Sequence, residues 1–247
     1  MKRLFVLMLL LGVGLSSSVV VAQQEEDTGK VKPRVLRVQM EFIEVSQATM
    51  LDLMYGEGEA ISDSDLRGKM QALLKEEKAS MLDSQVIVCR NGEKCTSESI
   101  SEFQYPTKYE AVELPNHVEA NIEEVKEVLE NLVVAPTPSS FETRNLGTTI
   151  ELECNVDKEG KEVAMRLAPE IVWHVGDVIW AEWSDKKTKL DIKMPKMYTL
   201  RVNTGITVPM GKYGLVSVMN PKDENGFPDN QRKVLCFVKV NEVLKGK

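Results

Sequence analysis

Four cysteines, two histidines, three tryptophans and one acidic turn are the residues here with the chemistry to build a site. Cys89 and Cys95 flank Arg90-Asn91-Gly92-Glu93-Lys94, a segment with the signature of a hairpin turn, so the two thiols could face each other across neighbouring strands. A strict two-residue Asn-Gly turn would pair Cys89 with Lys94, so a bond to Cys95 needs a longer loop or a bulge. Cys154 and Cys236 fall on the apolar phase of their own strands and stand either as a second disulfide or as buried free thiols. A zinc site is the rival use of these sulfurs. His117 and His174 are the available imidazoles, and neither sits at ligand spacing from a cysteine.

Catalysis finds little support. There is no Gly-x-Ser-x-Gly elbow, no phosphate-cradling glycine loop and no His-Glu-x-x-His motif, and neither histidine has a local Ser or Cys partner. Asp223-Glu224-Asn225-Gly226 resembles part of a calcium loop, lacks the full ligand series and reads as a turn. Trp173, Trp180 and Trp183 are the candidate interaction surface. A continuous strand would place Trp173 and Trp183 on one face and Trp180 on the other, which favours core packing or a subunit contact over a single platform. The expectation is a protein that is not an enzyme and holds no metal or cofactor.

The ends and the charge say where such a protein works. Lys2 and Arg3 precede an apolar run from Leu4 to Gly14, and Val20-Val21-Ala22 offers a peptidase its small-x-small site, so residues 1–22 read as a signal peptide. The apolar run is shorter than a bilayer span requires, and no later stretch is long enough for a transmembrane helix. An even number of cysteines in an exported chain suggests disulfides. The net charge is −7, and removal of the leader takes away two positive charges more. An acidic surface repels nucleic acid, which is set aside as a partner.

Residues 23–33 read as a flexible lead. Leu36, Val38, Met40 and Phe42 then alternate with polar residues, the mark of a strand with one buried face. Ser46 caps a short helix carrying Met50, Leu51 and Met54, and a second helix starts at Asp63 or Ser64 with Leu66, Met70, Leu73 and Leu74 as its buried stripe. After the cysteine-flanked turn, Phe103-Gln104-Tyr105-Pro106 reads as an edge strand stopped by proline. A third helix is expected from about Asn121, with an acidic, solvated face, ended by Ala135-Pro136-Thr137-Pro138. From Ser139 onward the chain reads as strands. Ile150–Val156 turns through Asp157-Lys158-Glu159-Gly160 into Val163–Leu167. Apolar Ile171–Trp183 follows, then a charged break at Lys186–Lys189, then Tyr198–Val208, Tyr213–Val218 and a last strand with Val234, Cys236, Val238 and Val240.

Several of these segments, taken in order, resemble the core domain of secretins, the ring-forming proteins of type II and type III secretion systems and type IV pili. Val38 to Ser46 is similar to the strand that opens that domain, and Ser84 to Cys95 to the hairpin after it. Glu102 to Tyr109 is similar to a Tyr-Pro-Thr-bearing segment of secretin-like proteins. Pro138 to Gly147, continuing into Cys154, is the most specific match, and Leu167 to Val172 and the final strand fit in order. Tyr213 to Pro221, followed by a polar loop, stands where secretins carry a Gly-Gly-Leu-like strand and a Val-Pro-x-Leu-Gly-x-x-Pro segment. A complete gate or membrane-inserting segment is therefore not expected.

The resemblance implies an α+β, strand-rich fold, a mainly antiparallel sheet of secretin-core type with about three peripheral helices. Residues 34–134 would form its N-terminal α+β part and 135–247 its C-terminal β part. It implies a structural or assembly protein of the periplasm or outer-membrane region. Its partners would be other copies of the chain or secretion and pilus components, and any membrane association would not use a transmembrane helix. A monomeric periplasmic binding module built on the same scaffold is the alternative.

Overall fold

A computed structural model describes residues 34–56, 61–111, 123, 126, 135–184 and 189–243. The signal peptide and the lead lie outside the described residues. So does most of the third helix expected from Asn121, of which Glu123 and Lys126 are described and are helical.

The elements run β1 (Val35–Ser46), α1 (Gln47–Tyr55), α2 (Asp63–Lys75), β2 (Ala79–Arg90), β3 (Lys94–Glu110), β4 (Thr137–Val156), β5 (Glu162–Ser184), β6 (Lys189–Arg201), β7 (Thr204–Pro209), β8 (Tyr213–Met219) and β9 (Arg232–Glu242). They form two antiparallel sheets. The first has the order β2-β1-β9-β8; the second has the order β3-β4-β5-β6, with β7 paired to the first part of β5. The fold is strand-rich, as the alternation predicted, and its first and last strands are neighbours in the first sheet.

Period-two alternation explains the layers. Leu36, Val38, Met40 and Phe42 of β1 and Val234, Cys236, Val238 and Val240 of β9 point one way. They meet Ile150, Leu152 and Cys154 of β4 and Val163, Met165 and Leu167 of β5 in one buried cluster. The opposite face of the first sheet carries Ile43, Val45, Leu235 and Phe237, and these bury Met50 of α1 with Leu66 and Met70 of α2. Strand β9 is thus buried on both faces, which explains its nearly unbroken apolar run.

Ser46 caps α1 as the sequence indicates, and α2 starts at Asp63 with Ser62 as its cap. Ser46 Oγ accepts from the Thr49 N–H at 3.1 Å, and Ser62 Oγ accepts from the Asp65 N–H at 3.2 Å. Helix α2 is held down by more than apolar contact. Its Arg67 donates to Glu41 of β1; both side chains are buried, at 8% and 3% exposure. Gln39 donates to the other Glu41 oxygen at 2.6 Å, and the Arg67 guanidinium lies 5.3 Å from the centre of the Tyr213 ring.

Two local expectations are corrected. Cys89 and Cys95 do not flank a hairpin: β2 pairs with β1 in the first sheet and β3 with β4 in the second, so the turn between them carries the chain across the sandwich. Asn-Gly favours a tight turn and does not fix which strands pair afterwards. The turn is clamped to the second sheet instead. The Gly92 N–H donates to the Cys154 carbonyl at 2.8 Å, and Asn91 Oδ1 accepts from the Val156 N–H at 2.7 Å.

Pro106 does not stop its strand. It sits opposite Phe141, with a register shift just after it, on the strand that ends the second sheet among the described residues, a position where a missing N–H is tolerated. Pro169, too, lies inside β5. Its carbonyl accepts from the Val202 N–H at 3.1 Å, in the gap between β6 and β7. The N and O of one strand residue point to the same edge, so the proline nitrogen faces that gap, where the reciprocal bond to the Val202 carbonyl cannot form and the ladder between β5 and its partners is interrupted.

Gly147 marks the end of the paired region of β4 and β5, opposite Val172. Its φ is +117°, and a Cβ there would lie 2.2 Å from the Ser99 carbonyl oxygen. Gly147→Ala is expected to lower unfolding free energy by about 2–4 kcal/mol, combining backbone strain with overpacking. Urea unfolding followed by tryptophan fluorescence measures it, and an unchanged midpoint would contradict the assignment.

Candidate functional site

Beyond Gly147 and Val172 the hydrogen-bonded ladder between β4 and β5 ends, and the second sheet forks. One arm is β3 with the first half of β4, paired from Ile100 opposite Gly147 to Glu110 opposite Thr137. The other is the second half of β5 with β6, paired from Trp173 opposite Tyr198 to Ser184 opposite Lys189. At the usual strand rise the second arm is roughly 35 Å long. Side chains from Thr137 to Asn145 are exposed throughout, as are those from Val178 to Glu182. Just past the fork, Phe103 of β3 stacks on His174 of β5 at 4.9 Å between ring centres, and His174 Nε2 pairs with Asp177 Oδ1 at 2.8 Å.

The register of the β5–β6 arm sorts its residues by face. Trp173 sits opposite Tyr198, Val178 opposite Met194, Ala181 opposite Ile192 and Trp183 opposite Leu190. Directly opposed residues of an antiparallel pair share a face. Register shifts between His174 and Gly176 and between Ile179 and Ala181 change the alternation of β5 twice and so restore it. All four pairs therefore lie on the face that Ile171 and Leu200 bury in the sandwich core. After an interruption at Gly176 opposite Lys196, an apolar stripe continues along the arm beyond the core, from Val178 and Met194 to Trp183 and Leu190. The opposite face carries Asp177 opposite Pro195, Glu182 opposite Asp191 and Ser184 opposite Lys189.

The tryptophans divide accordingly. Trp173 stacks on Tyr198 at 4.7 Å and packs against the core, Trp183 is half-buried on the stripe, and Trp180 occupies a bulge and is 70% exposed. They do not converge on one platform. Of the stripe residues, Val178 falls in the apolar stretch Ile171–Trp183, while Leu190, Ile192 and Met194 were missed in the sequence. Leu190, Ile192 and Met194 alternate as a strand should, yet they follow directly on the charged break read at Lys186–Lys189 and were not assigned to a strand.

All four cysteines are free thiols in this structure. Cys89 and Cys154 are buried in the core beside the turn between the sheets and Cys95 packs against it, its thiol donating to the Leu152 carbonyl at 3.7 Å; burial and the neighbouring Cys89 push the Cys95 thiol up to about 12. Cys236 lies on β9 opposite Phe42, and its thiol is pushed up to about 12 by burial alone. Of the two readings of Cys154 and Cys236, a second disulfide or buried free thiols, the structure has the buried free thiols. His117 lies outside the described residues. Asp223 is a turn residue whose carboxylate accepts from the Phe227 N–H at 2.8 Å. Among the described residues no group of three or more His, Cys, Asp or Glu side chains is arranged to hold a metal ion, and no helix is long and apolar enough to cross a membrane.

Backbone and stripe together suit one kind of chemistry. The outer edges of β3 and β6, and the inner edges of both arms past the fork, carry N–H and C=O groups with no strand partner among the described residues. Such edges accept another strand, and an adjoining apolar face adds burial to the ladder.

No family model matches the chain, and no curated protein does. Among solved structures it is similar to secretins. Against the InvG secretin-domain β-barrel of the Salmonella SPI-1 injectisome the identity is 14% and the TM-score 0.41, over 87% of this chain and 64% of that one. Against the type II secretin GspD of enteropathogenic Escherichia coli the values are 9% and 0.44, over 87% and 71%. Against the type IV competence pilus secretin PilQ of V. cholerae they are 10% and 0.36, over 86% and 60%.

Proposed function

We propose that this chain is an exported, secretin-like structural protein of the bacterial envelope that works by assembly. It pairs with copies of itself or with components of a type II/III secretion or type IV pilus-like system. The observation that carries the reading is the forked second sheet, whose arms extend an apolar stripe and open strand edges beyond the core. A monomer gains nothing from ordering Val178, Ile192 and Trp183 on one face of a projecting hairpin. A neighbouring strand pair laid on that face would bury them, at about 25 cal/mol for each Å² of apolar surface removed from water. The ordered run of secretin-like segments supports the same class. The gate and the membrane-inserting segment are outside this proposal, which needs only edge pairing.

The apolar leader ending at Ala22 supports delivery to the periplasm or outer membrane. Fractionating cells and determining the N-terminus of the purified chain tests this part. The chain is expected in the envelope fraction, beginning at Gln23. Recovery from the cytoplasm with Met1 and the leader intact would contradict it.

A further inference from the structure

The sequence holds two Asn-Gly pairs, and the fold restrains them unequally. Asn91-Gly92 is the turn between the sheets, and Asn225-Gly226 belongs to the acidic turn between β8 and β9. Both glycines have positive φ, +79° at Gly92 and +81° at Gly226, a conformation that favours glycine. At Gly226 a Cβ would also lie 2.6 Å from Lys196 Cε. Each turn therefore needs its glycine, and each asparagine is followed by a backbone nitrogen that no side chain shields.

Asn91 is locked in place. Its Oδ1 accepts from the Val156 N–H at 2.7 Å, and its own N–H donates to the Arg34 carbonyl at 3.0 Å. The Gly92 N–H donates to the Cys154 carbonyl at 2.8 Å. These partners are distant in sequence, so freeing Gly92 means parting the turn from the sandwich. Asn225 is exposed, and among the described residues nothing bonds its side-chain amide. The Gly226 N–H donates to the Asp223 carbonyl at 2.9 Å, a bond contained within the turn. A surface turn of this kind opens without disturbing the core.

We infer that Asn225 is a site of spontaneous covalent modification, deamidation with water as the co-reactant, and that Asn91 is protected from it. When the turn opens, the Gly226 nitrogen gives its proton to solvent and attacks Asn225 Cγ. The N–Cγ bond forms, the Cγ–Nδ2 bond breaks, and ammonia leaves a five-membered cyclic imide. Water then opens the ring on either side. Breaking the N–Cγ bond leaves aspartate, and breaking the original peptide bond leaves isoaspartate, whose main chain runs through Cγ. Either product places a new carboxylate beside Asp223 and Glu224. The altered loop is tied to β1 through Arg232, which donates to the Lys222 carbonyl at 3.0 Å and to Glu44 at 3.0 Å.

The test is to hold the folded full chain in neutral buffer at growth temperature and follow both Asn-Gly sites by peptide mass spectrometry. A parallel sample is kept unfolded in urea. In the folded chain Asn225 is expected to convert to aspartate and isoaspartate with loss of ammonia while Asn91 stays intact. In urea the two sites are expected to convert at similar rates. A folded chain that keeps Asn225 as long as Asn91, or converts Asn91 first, overturns the inference. So does a preference for Asn225 that persists in urea, because the local sequence and not the restraint on each turn would then set it.

Discussion

Replacing Val178 and Ile192 by aspartate is expected to release single chains from the assembled particle while the sandwich stays folded. Both residues lie on the core-facing side of the β5–β6 arm, outside the buried clusters, and Val178 is 53% exposed. The isolated fold therefore loses little when they become charged. An assembled particle that covers the stripe loses two buried apolar side chains, worth about 1.5–3 kcal/mol each, and must also accommodate two carboxylates. Two such losses weaken association on the order of 10²–10⁴-fold. Size-exclusion chromatography with mass measurement reads the effect, and unchanged circular dichroism shows that the fold survives. Particles as large and as stable as wild type would exclude the stripe from the interface.

The second large effect is on stability. Arg67→Ala is expected to destabilise the fold by about 3–5 kcal/mol, because Glu41 is left buried without its counter-charge. Glu41 is 3% exposed between β1 and α2, where Arg67 and Gln39 are its donors. Double replacement by Glu41→Gln and Arg67→Met is expected to recover much of the loss, since the buried charge and its need for a partner disappear together. Chemical denaturation of the three chains checks the pattern. A single variant as stable as wild type would mean that α2 is not docked through this pair.

Much of the fold was legible because alternation is a local signal. Leu36, Val38, Met40 and Phe42 announce β1, Ile150, Leu152 and Cys154 announce β4, and Asp157 with Gly160 announces the turn into β5. There the Asp157 carboxylate accepts from the Lys161 and Glu162 N–H groups, and these backbone bonds, that of Glu162 foremost, hold its pKa below the usual carboxylate range. What stayed hidden was non-local or compensated. Nothing near Asn91-Gly92 says that the strands on either side join different sheets, so Cys89 was matched with its neighbour in sequence. Two bulges in β5 broke the alternation that would have exposed the stripe. Pro106 read as the end of its strand because its tolerance depends on which edge it faces, and the sequence does not state that.

Sedimentation velocity of the wild-type chain purified from the envelope fraction, run over a range of concentrations, bears most directly on the claim that the arms are the working surface. The fork and its uncovered stripe predict a particle of several chains that persists on dilution. A single-chain species at every concentration, with the β5–β6 arm intact, would contradict it.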